Sequence, residues 1–119
     1  MSKGRILIAE DDTGILEAMQ IMLEDAGYEV TTTVDGATVQ DMKEDLPDLL
    51  LLDIWMSGMD GKDICKHLKS QALTKHIPII MCSANKDTKH IAKESGADDF
   101  IAKPFEMNEL LSKVKKYTS

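Results

Sequence analysis

Acidic side chains follow two short apolar runs of this 119-residue sequence. Glu10, Asp11 and Asp12 come directly after the first run, and Asp53 ends a run of four leucines. A short run that is apolar throughout is typical of a buried strand in a parallel sheet. Because an unpaired buried carboxylate is costly, we expect Asp53 to lie at the rim of such a sheet, where it is paired, metal-bound or solvated. Asp53 is therefore the candidate reactive centre.

Two further apolar runs end in polar side chains, at Ser83 and Lys103. The carboxyl ends of parallel strands form one edge of a sheet, so these side chains should converge with the acids on Asp53. At about 4 Å and a surface-like dielectric, each pair of carboxylates repels by on the order of 4 kcal/mol. Uptake of a proton or binding of a divalent cation relieves this repulsion. Oxygen ligands alone suit Mg²⁺, which also coordinates phosphate.

A carboxylate beside a cation, a hydroxyl and a lysine suits phosphoryl transfer. Asp53 would be the nucleophile and form an acyl phosphate. Mg²⁺ and Lys103 would offset charge on the transferring oxygens, and Ser83 could hydrogen-bond one of them. Taken singly, these residues also have structural interpretations. Asp12, and less readily Asp11, could cap the following helix, Ser83 could be a turn residue, and Lys103 could be a solvated lysine.

Five predicted strands alternate with five predicted helices. The strands cover residues 5–9, 28–34, 49–53, 78–82 and 98–102. The first helix covers 13–26, and apolar spacing extends the second as far as Leu46, before Pro47. The third contains Ile64 and Leu68, the fourth covers 86–95, and the fifth runs from Met107 to Tyr117; residues 54–60 are predicted to be a loop. This alternation indicates an α/β fold, a parallel sheet with helices on both faces.

Composition narrows the class of protein. The length suits one domain, and the net charge of −7 argues against a surface that binds nucleic acid or anionic membrane. No apolar run is long enough to span a membrane, and the amino terminus does not resemble a secretory signal. Cys65 and Cys82, in apolar contexts without CxxC spacing, are interpreted as reduced core thiols of a cytoplasmic protein.

Several short motifs together carry a family resemblance over essentially the whole chain, residues 1–119. The sequence resembles a receiver domain of the two-component response regulators, in the chemotaxis-regulator-like superfamily. Each motif is weak alone, but their order at strand ends is a strong signal. They are Glu10-Asp11, Leu51-Leu52-Asp53-Ile54-Trp55-Met56, Asp60-Gly61, Ser83-Ala84, Gly96-Ala97-Asp98-Asp99-Phe100 and Lys103-Pro104-Phe105.

The resemblance implies a fold and a site. The fold is a three-layer, doubly wound, flavodoxin-like (βα)5 architecture with a five-stranded parallel sheet in the order 2-1-3-4-5. Asp53 would accept a phosphoryl group from a phosphohistidine of a histidine kinase or histidine phosphotransfer protein. Mg²⁺ would be bound by Asp11, Asp53 and the backbone carbonyl of Trp55, with Glu10 contributing through water. Ser83 and Lys103 would contact the phosphoryl group.

The resemblance also implies a switch. In the family, the residue at the position of Ser83 moves toward the phosphoryl group and the aromatic at the position of Phe100 turns inward. This reshapes the face of the fourth helix, fifth strand and fifth helix, through which a protein target binds. The Lys103–Pro104 bond is usually cis. Such a domain signals, and catalyses only its own phosphorylation and dephosphorylation.

Four positions depart from the family pattern or tune it. Ser57 stands where a proline is usual, so the loop after Asp53 would be more mobile. Trp55 could shield the acyl phosphate from water, whereas Asn85 could orient an attacking water. Phe100 lacks the hydroxyl of the commoner tyrosine. The lifetime of the acyl phosphate is therefore left open.

Other functions fit the residues less well. A flavodoxin-like cofactor binder needs a phosphate-cradling first loop, which Glu10-Asp11-Asp12 would repel. Phosphatases with an aspartate nucleophile resemble one another in having a second aspartate two positions after it. This chain has Trp55 at that position. A nucleotide switch needs a Gly-rich loop with Lys-Ser/Thr, which is lacking. We interpret the three histidines as surface residues.

The setting of the domain is left open. The initial Met1 mildly favours a free-standing receiver over one excised from a hybrid protein, and we expect no DNA-binding segment after the last helix. The sequence does not identify the cognate kinase or the target, and it leaves two oligomeric states open, a monomer or a phosphorylation-dependent dimer. The fourth helix has few apolar residues, so its face is predicted to be free for a partner.

Overall fold

The computed structural model describes residues 3–56, 58–84 and 86–118. Five strands of the central sheet, numbered here β1 to β5, are Arg5–Ala9, Glu29–Thr33, Leu49–Asp53, Ile79–Ser83 and Asp99–Ala102. Five helices, α1 to α5, are Thr13–Asp25, Gly36–Gln40, Gly61–Ser70, Thr88–Ser95 and Met107–Thr118. Among the described residues, no helix combines the length and apolar character needed to cross a membrane.

The central sheet has the predicted topology. Its strands lie in the order β2-β1-β3-β4-β5 and every pairing is parallel, which confirms the fold class and strand order. The leucines of β3 alternate between two cores. Leu49 and Leu51 pack with α1 and α5, whereas Leu50 and Leu52 pack with α2, α3 and α4. Both faces of β3 are therefore buried, which is why its sequence is apolar throughout.

The second helix is shorter than predicted. It ends at Gln40, and the chain then turns at Asp41 instead of continuing to Leu46. Asp45 has a positive φ of 50°, which no α-helix accommodates, and Pro47 restricts the residue before it. Met42 and Leu46 nevertheless pack against the core beside α2 to α4. Met42 and Leu46 are therefore apolar because an irregular segment packs against the core, and their four-residue spacing only happens to match that of a helix.

The segment predicted to be a loop after β3 contains a small hairpin. Trp55–Met56 pairs in antiparallel register with Met59–Asp60, and Gly58, with a φ of 77°, lies in the turn. Met56 is fully buried and anchors the hairpin. Its strands are only two residues long, too short for an alternating pattern in the sequence, so the prediction of a loop was wrong.

Candidate functional site

The carboxyl ends of four strands deliver polar groups to one edge of the sheet. The register pairs Ala9 with Leu52, Asp53 with Cys82, and Ser83 with Ala102. Glu10, Asp53, Ser83 and Lys103 therefore lie at the same level, although they are far apart in sequence. This edge is where ligands bind in open α/β sheets.

Three carboxylates converge at this edge. Oxygens of Glu10, Asp11 and Asp53 lie within 4.8 Å of one another. Glu10 is only 2% exposed, whereas Asp11 is exposed to solvent, so the cluster opens on one side. An oxygen-only donor set of this density, with an open side, fits a hard divalent cation such as Mg²⁺.

Lys103 supplies the compensating positive charge. Its Nζ forms a close ion pair with Oε1 of Glu10 and lies 3.3 Å from Oδ1 of Asp53; the Lys103 side chain is 15% exposed. Burial acts to lower the pKa of Lys103, but the hydrogen bond to Glu10 and the charge of Asp53 outweigh it and raise this pKa. The lysine is therefore held as a cation between the two carboxylates.

The surroundings of Asp53 disfavour the ionised form of its carboxyl group. Burial and the neighbouring Glu10 carboxylate raise the pKa of Asp53 to about 6, against the opposing effect of Lys103. The backbone N–H of Ile54 also donates to Oδ1 of Asp53, at 3.0 Å. A carboxylate with this pKa is mostly ionised at neutral pH, and a cation that binds beside it stabilises the ionised form.

Asp12 has a structural role. Its Oδ1 accepts a hydrogen bond of 3.1 Å from the N–H of Ile15, which confirms the interpretation of Asp12 as the N-cap of α1. The N–H of Asp12 donates to Oε2 of Glu10, at 3.3 Å. The cap therefore orients the side chain of Glu10, a contact that the sequence did not reveal.

Other residues predicted at the site surround this cluster. Ser83 is buried at the end of β4, and its carbonyl accepts a hydrogen bond of 2.8 Å from the N–H of Lys103. Trp55 lies two residues after Asp53 with 59% of its surface exposed, and Phe100 is partly buried against α4. The Lys103–Pro104 bond is cis, as the family resemblance implies. Ser57 and Asn85 lie outside the described residues.

A network that the sequence analysis missed fastens α5 to β5. Lys113 Nζ donates to Oδ1 of Asp99 at 2.9 Å and to the carbonyl of Phe100, and it lies 4.7 Å from the centroid of the Phe100 ring. The hydroxyl of Tyr117 donates to Oδ2 of Asp99, at 3.1 Å. The spacing of Lys113 and Tyr117, four residues apart on one helix face, was the available signal.

The network also shifts two pKa values. Burial acts to raise the pKa of Asp99, but hydrogen bonds from Lys113, the Phe100 N–H and Tyr117 lower it overall. Burial and the hydrogen bond to Asp99 raise the pKa of Tyr117 to about 12. The pair therefore stays as carboxylate and phenol throughout the neutral range, so α5 remains attached to β5 there.

Gly61 directly follows the hairpin and lies close to the backbone beside Asp53. A Cβ at this position would meet the backbone oxygens of Asp53 and Ile54, the latter at 2.8 Å. We predict that Gly61→Ala lowers the free energy of unfolding by about 2–3 kcal/mol, because backbone must move to admit the methyl group. Urea denaturation measures this value. In Gly14→Ala the new Cβ has only an ordinary contact, with Asp12, so this control should lose no stability; equal losses in both variants would contradict the account.

Known proteins resemble this chain over nearly its whole length. The response regulator receiver domain family matches residues 6–115. The chain belongs to this family. Over 118 residues it is 38% identical to the response regulator PleD of Caulobacter vibrioides, covering 97% of this chain and 26% of PleD. It is 40% identical over 114 residues to RpaA of Synechocystis, a DNA-binding dual master transcriptional regulator, covering 93% of this chain and 47% of RpaA.

A solved receiver domain bears on the acidic cluster. The receiver domain of the sensor histidine kinase PA1611 from Pseudomonas aeruginosa is 27% identical, with a TM-score of 0.87 and coverage of 97% of both chains. That structure has a magnesium ion coordinated in its active-site cleft. The chain spans only about a quarter to half of the length of the curated relatives it matches.

Proposed function

We propose that this receiver domain accepts a phosphoryl group on Asp53 from a phosphohistidine of a histidine kinase or histidine phosphotransfer protein. The observation that carries the proposal is the convergence on Asp53 of two further carboxylates and Lys103. Membership of the receiver family supports it. On this proposal the chain is a signalling domain, a phosphoacceptor that acts on no separate substrate, and works on the cytoplasmic side of two-component signalling.

The chemistry assigns each group a task. An oxygen of Asp53 attacks phosphorus and the N–P bond of the phosphohistidine breaks. The electron pair of that bond stays on the imidazole nitrogen, which takes a proton from solvent. The product is an aspartyl phosphate on Asp53. Lys103, already held as a cation beside Asp53, offsets charge on the transferring oxygens, and the Ser83 hydroxyl donates to one of them.

A magnesium ion is the proposed cofactor. Glu10, Asp11, Asp53 and the backbone carbonyl of Trp55 would hold it, Glu10 through water. When bound, Mg²⁺ supplies charge neutralisation between the acceptor carboxylate and the phosphoryl oxygens. The donor chemistry fits this ion because the cluster is made of carboxylate oxygens and opens to solvent.

Phosphorylation is proposed to act on the surface of α4, β5 and α5, called here the α4–β5–α5 surface. Ser83 would move toward the phosphoryl group and Phe100 would turn inward, away from Lys113. The same surface would bind the protein target or a second copy of the chain. Amide hydrogen exchange tests this mobility. If α4 is as protected as α1 both with and without phosphorylation, this part of the proposal is wrong.

The intact mass tests the phosphoacceptor. The wild-type protein, Asp53→Asn and Asp11→Asn are incubated with acetyl phosphate, with and without Mg²⁺. We expect the wild type to gain one phosphoryl group only with Mg²⁺, Asp53→Asn to gain none, and Asp11→Asn to gain it at least tenfold more slowly. Release of free phosphate from the donor by Asp53→Asn at the wild-type rate would instead favour hydrolytic chemistry at another residue.

A further inference from the structure

Charge is unevenly distributed along this chain. Residues 1–60 carry 14 acidic and 3 basic side chains, whereas residues 61–119 carry 7 acidic and 11 basic side chains. The sheet order converts this bias into a spatial one, because β2 and β1 lie at one edge and β4 and β5 at the other. The acidic half of the chain therefore contributes the β2 edge of the sheet and the basic half contributes the β5 edge, a separation that the net charge of −7 conceals.

The basic half of the chain has an exposed cluster at α4. Lys86, Lys89, His90 and Lys93 are all exposed; these four residues are called here the α4 basic patch. Together with Asp87 they line an open cleft of about 370 Å³. Four of the five side chains around a concave surface are thus basic, in a protein whose overall charge is negative.

The lysines of the patch are not neutralised within the chain. Lys62, Lys69, Lys103, Lys113 and Lys116 all pair with carboxylates. By contrast, Lys86, Lys89 and Lys93 have no ion-pair partner in the described part of the chain, and Glu94 pairs with His90, at 3.1 Å. Their positive charge is therefore available to a ligand from outside.

We propose that the α4 basic patch binds an acidic segment of a partner protein. The positive charge of the patch favours an anionic ligand. The small size of the patch limits the ligand segment in contact with it to a few residues. The eight residues of α4 rise by about 12 Å, the length of about four residues of extended chain. A nucleic-acid duplex, a long polyanion, would extend past the patch and be repelled by a protein whose net charge is −7.

This inference names the chemistry of the partner for the α4–β5–α5 surface, and to that extent it rests on the proposed function. Attraction across the patch acts over about a Debye length, 8–10 Å at moderate salt. It therefore steers and orients the partner, while contacts elsewhere on the surface add affinity. Binding should weaken as salt is added.

The test uses a fluorescein-labelled hexapeptide of Glu and Asp, titrated with unphosphorylated protein and followed by anisotropy. Lys86→Gln/Lys89→Gln/Lys93→Gln should raise the Kd at least tenfold. A matched control, Lys43→Gln/Lys66→Gln/Lys75→Gln, removes the same charge from exposed positions outside the α4–β5–α5 surface and should stay within twofold of the wild type. In the wild type, amide resonance shifts should be largest at residues 86–94.

Several outcomes would overturn the inference. These are the absence of saturable binding, equal losses of affinity in both triple variants, unchanged binding of a peptide with Gln and Asn in place of the acids, and tighter binding of a twelve-base-pair DNA duplex. Phosphoryl uptake is measured on the same wild-type preparation. Normal uptake without peptide binding overturns only this inference, whereas patch-dependent peptide binding without uptake overturns only the proposed function.

Discussion

Lys103→Met should lower the free energy of unfolding by about 3 kcal/mol at pH 8 without Mg²⁺. The side chain of Glu10 is 3% exposed and that of Asp53 is 13% exposed, and Lys103 is the cation between them. Removal of one partner from a buried ion pair leaves an uncompensated buried charge, which typically costs about 3–5 kcal/mol. We take the lower end because the cluster opens to solvent at Asp11. Urea denaturation in a chelating buffer measures the change.

Lys116→Met provides the control for this prediction. Lys116 also approaches a carboxylate, Oδ2 of Asp99 at 4.0 Å, but its side chain is 68% exposed. Exposed pairs contribute little, so we expect a change below about 0.5 kcal/mol. Added Mg²⁺ should restore part of the stability of Lys103→Met, because another cation then enters the cluster. A loss for Lys103→Met no larger than that for Lys116→Met would show that the carboxylates do not depend on the lysine.

Asp53→Asn should have the opposite effect and stabilise the metal-free protein by up to about 3 kcal/mol at pH 8. The pKa of Asp53 is raised from 3.8 to about 6 in the folded protein. Each unit of difference corresponds to 1.36 kcal/mol, so roughly two units give about 3 kcal/mol. Asn keeps an oxygen to accept from the N–H of Ile54 but removes the repulsion with Glu10.

The pH dependence of this difference identifies its cause. Between pH 3.8 and about 6 the folded protein binds more protons than the unfolded chain, so ionisation of Asp53 lowers stability as the pH rises through this window. The wild type and Asp53→Asn should therefore be equally stable near pH 3.5 and diverge to a constant gap above pH 7. Mg²⁺ should close or reverse the gap. A gap that is the same at every pH would mean that the substitution acts through packing.

The sheet could be predicted because its central strands carry a clear signal. Leu49 to Leu52 are buried on both faces, and a central strand of a parallel sheet imposes that requirement on consecutive residues in a run too short for a helix. Polar residues at strand ends then come together by topology, so Glu10, Asp53 and Lys103 could be grouped without knowledge of any distance. The predicted end of the second helix was wrong because Met42 and Leu46 belong to an irregular segment that packs against the core. An apolar pattern reports burial and does not by itself report backbone conformation.

The parts of the site that escaped prediction depend on distances between elements. The sequence does not show that Lys103 pairs with both Glu10 and Asp53, or that Asp12 donates to Glu10 while it caps α1. The attachment of α5 to Asp99 through Lys113 and Tyr117 likewise depends on where a helix packs against a strand end. These contacts decide pKa values, and therefore reactivity and stability, although they change neither the fold nor the set of residues at the edge.

Chemical trapping most directly tests whether the Asp53 carboxylate accepts the phosphoryl group. After incubation with Mg²⁺ and acetyl phosphate, borohydride reduces an aspartyl phosphate to homoserine, and peptide mass spectrometry locates the modified residue. We predict homoserine at position 53 in the wild type and at no position when Mg²⁺ is chelated. Homoserine at position 11 or 12, or a stable phosphoryl group on His67, His76 or His90, would contradict the account.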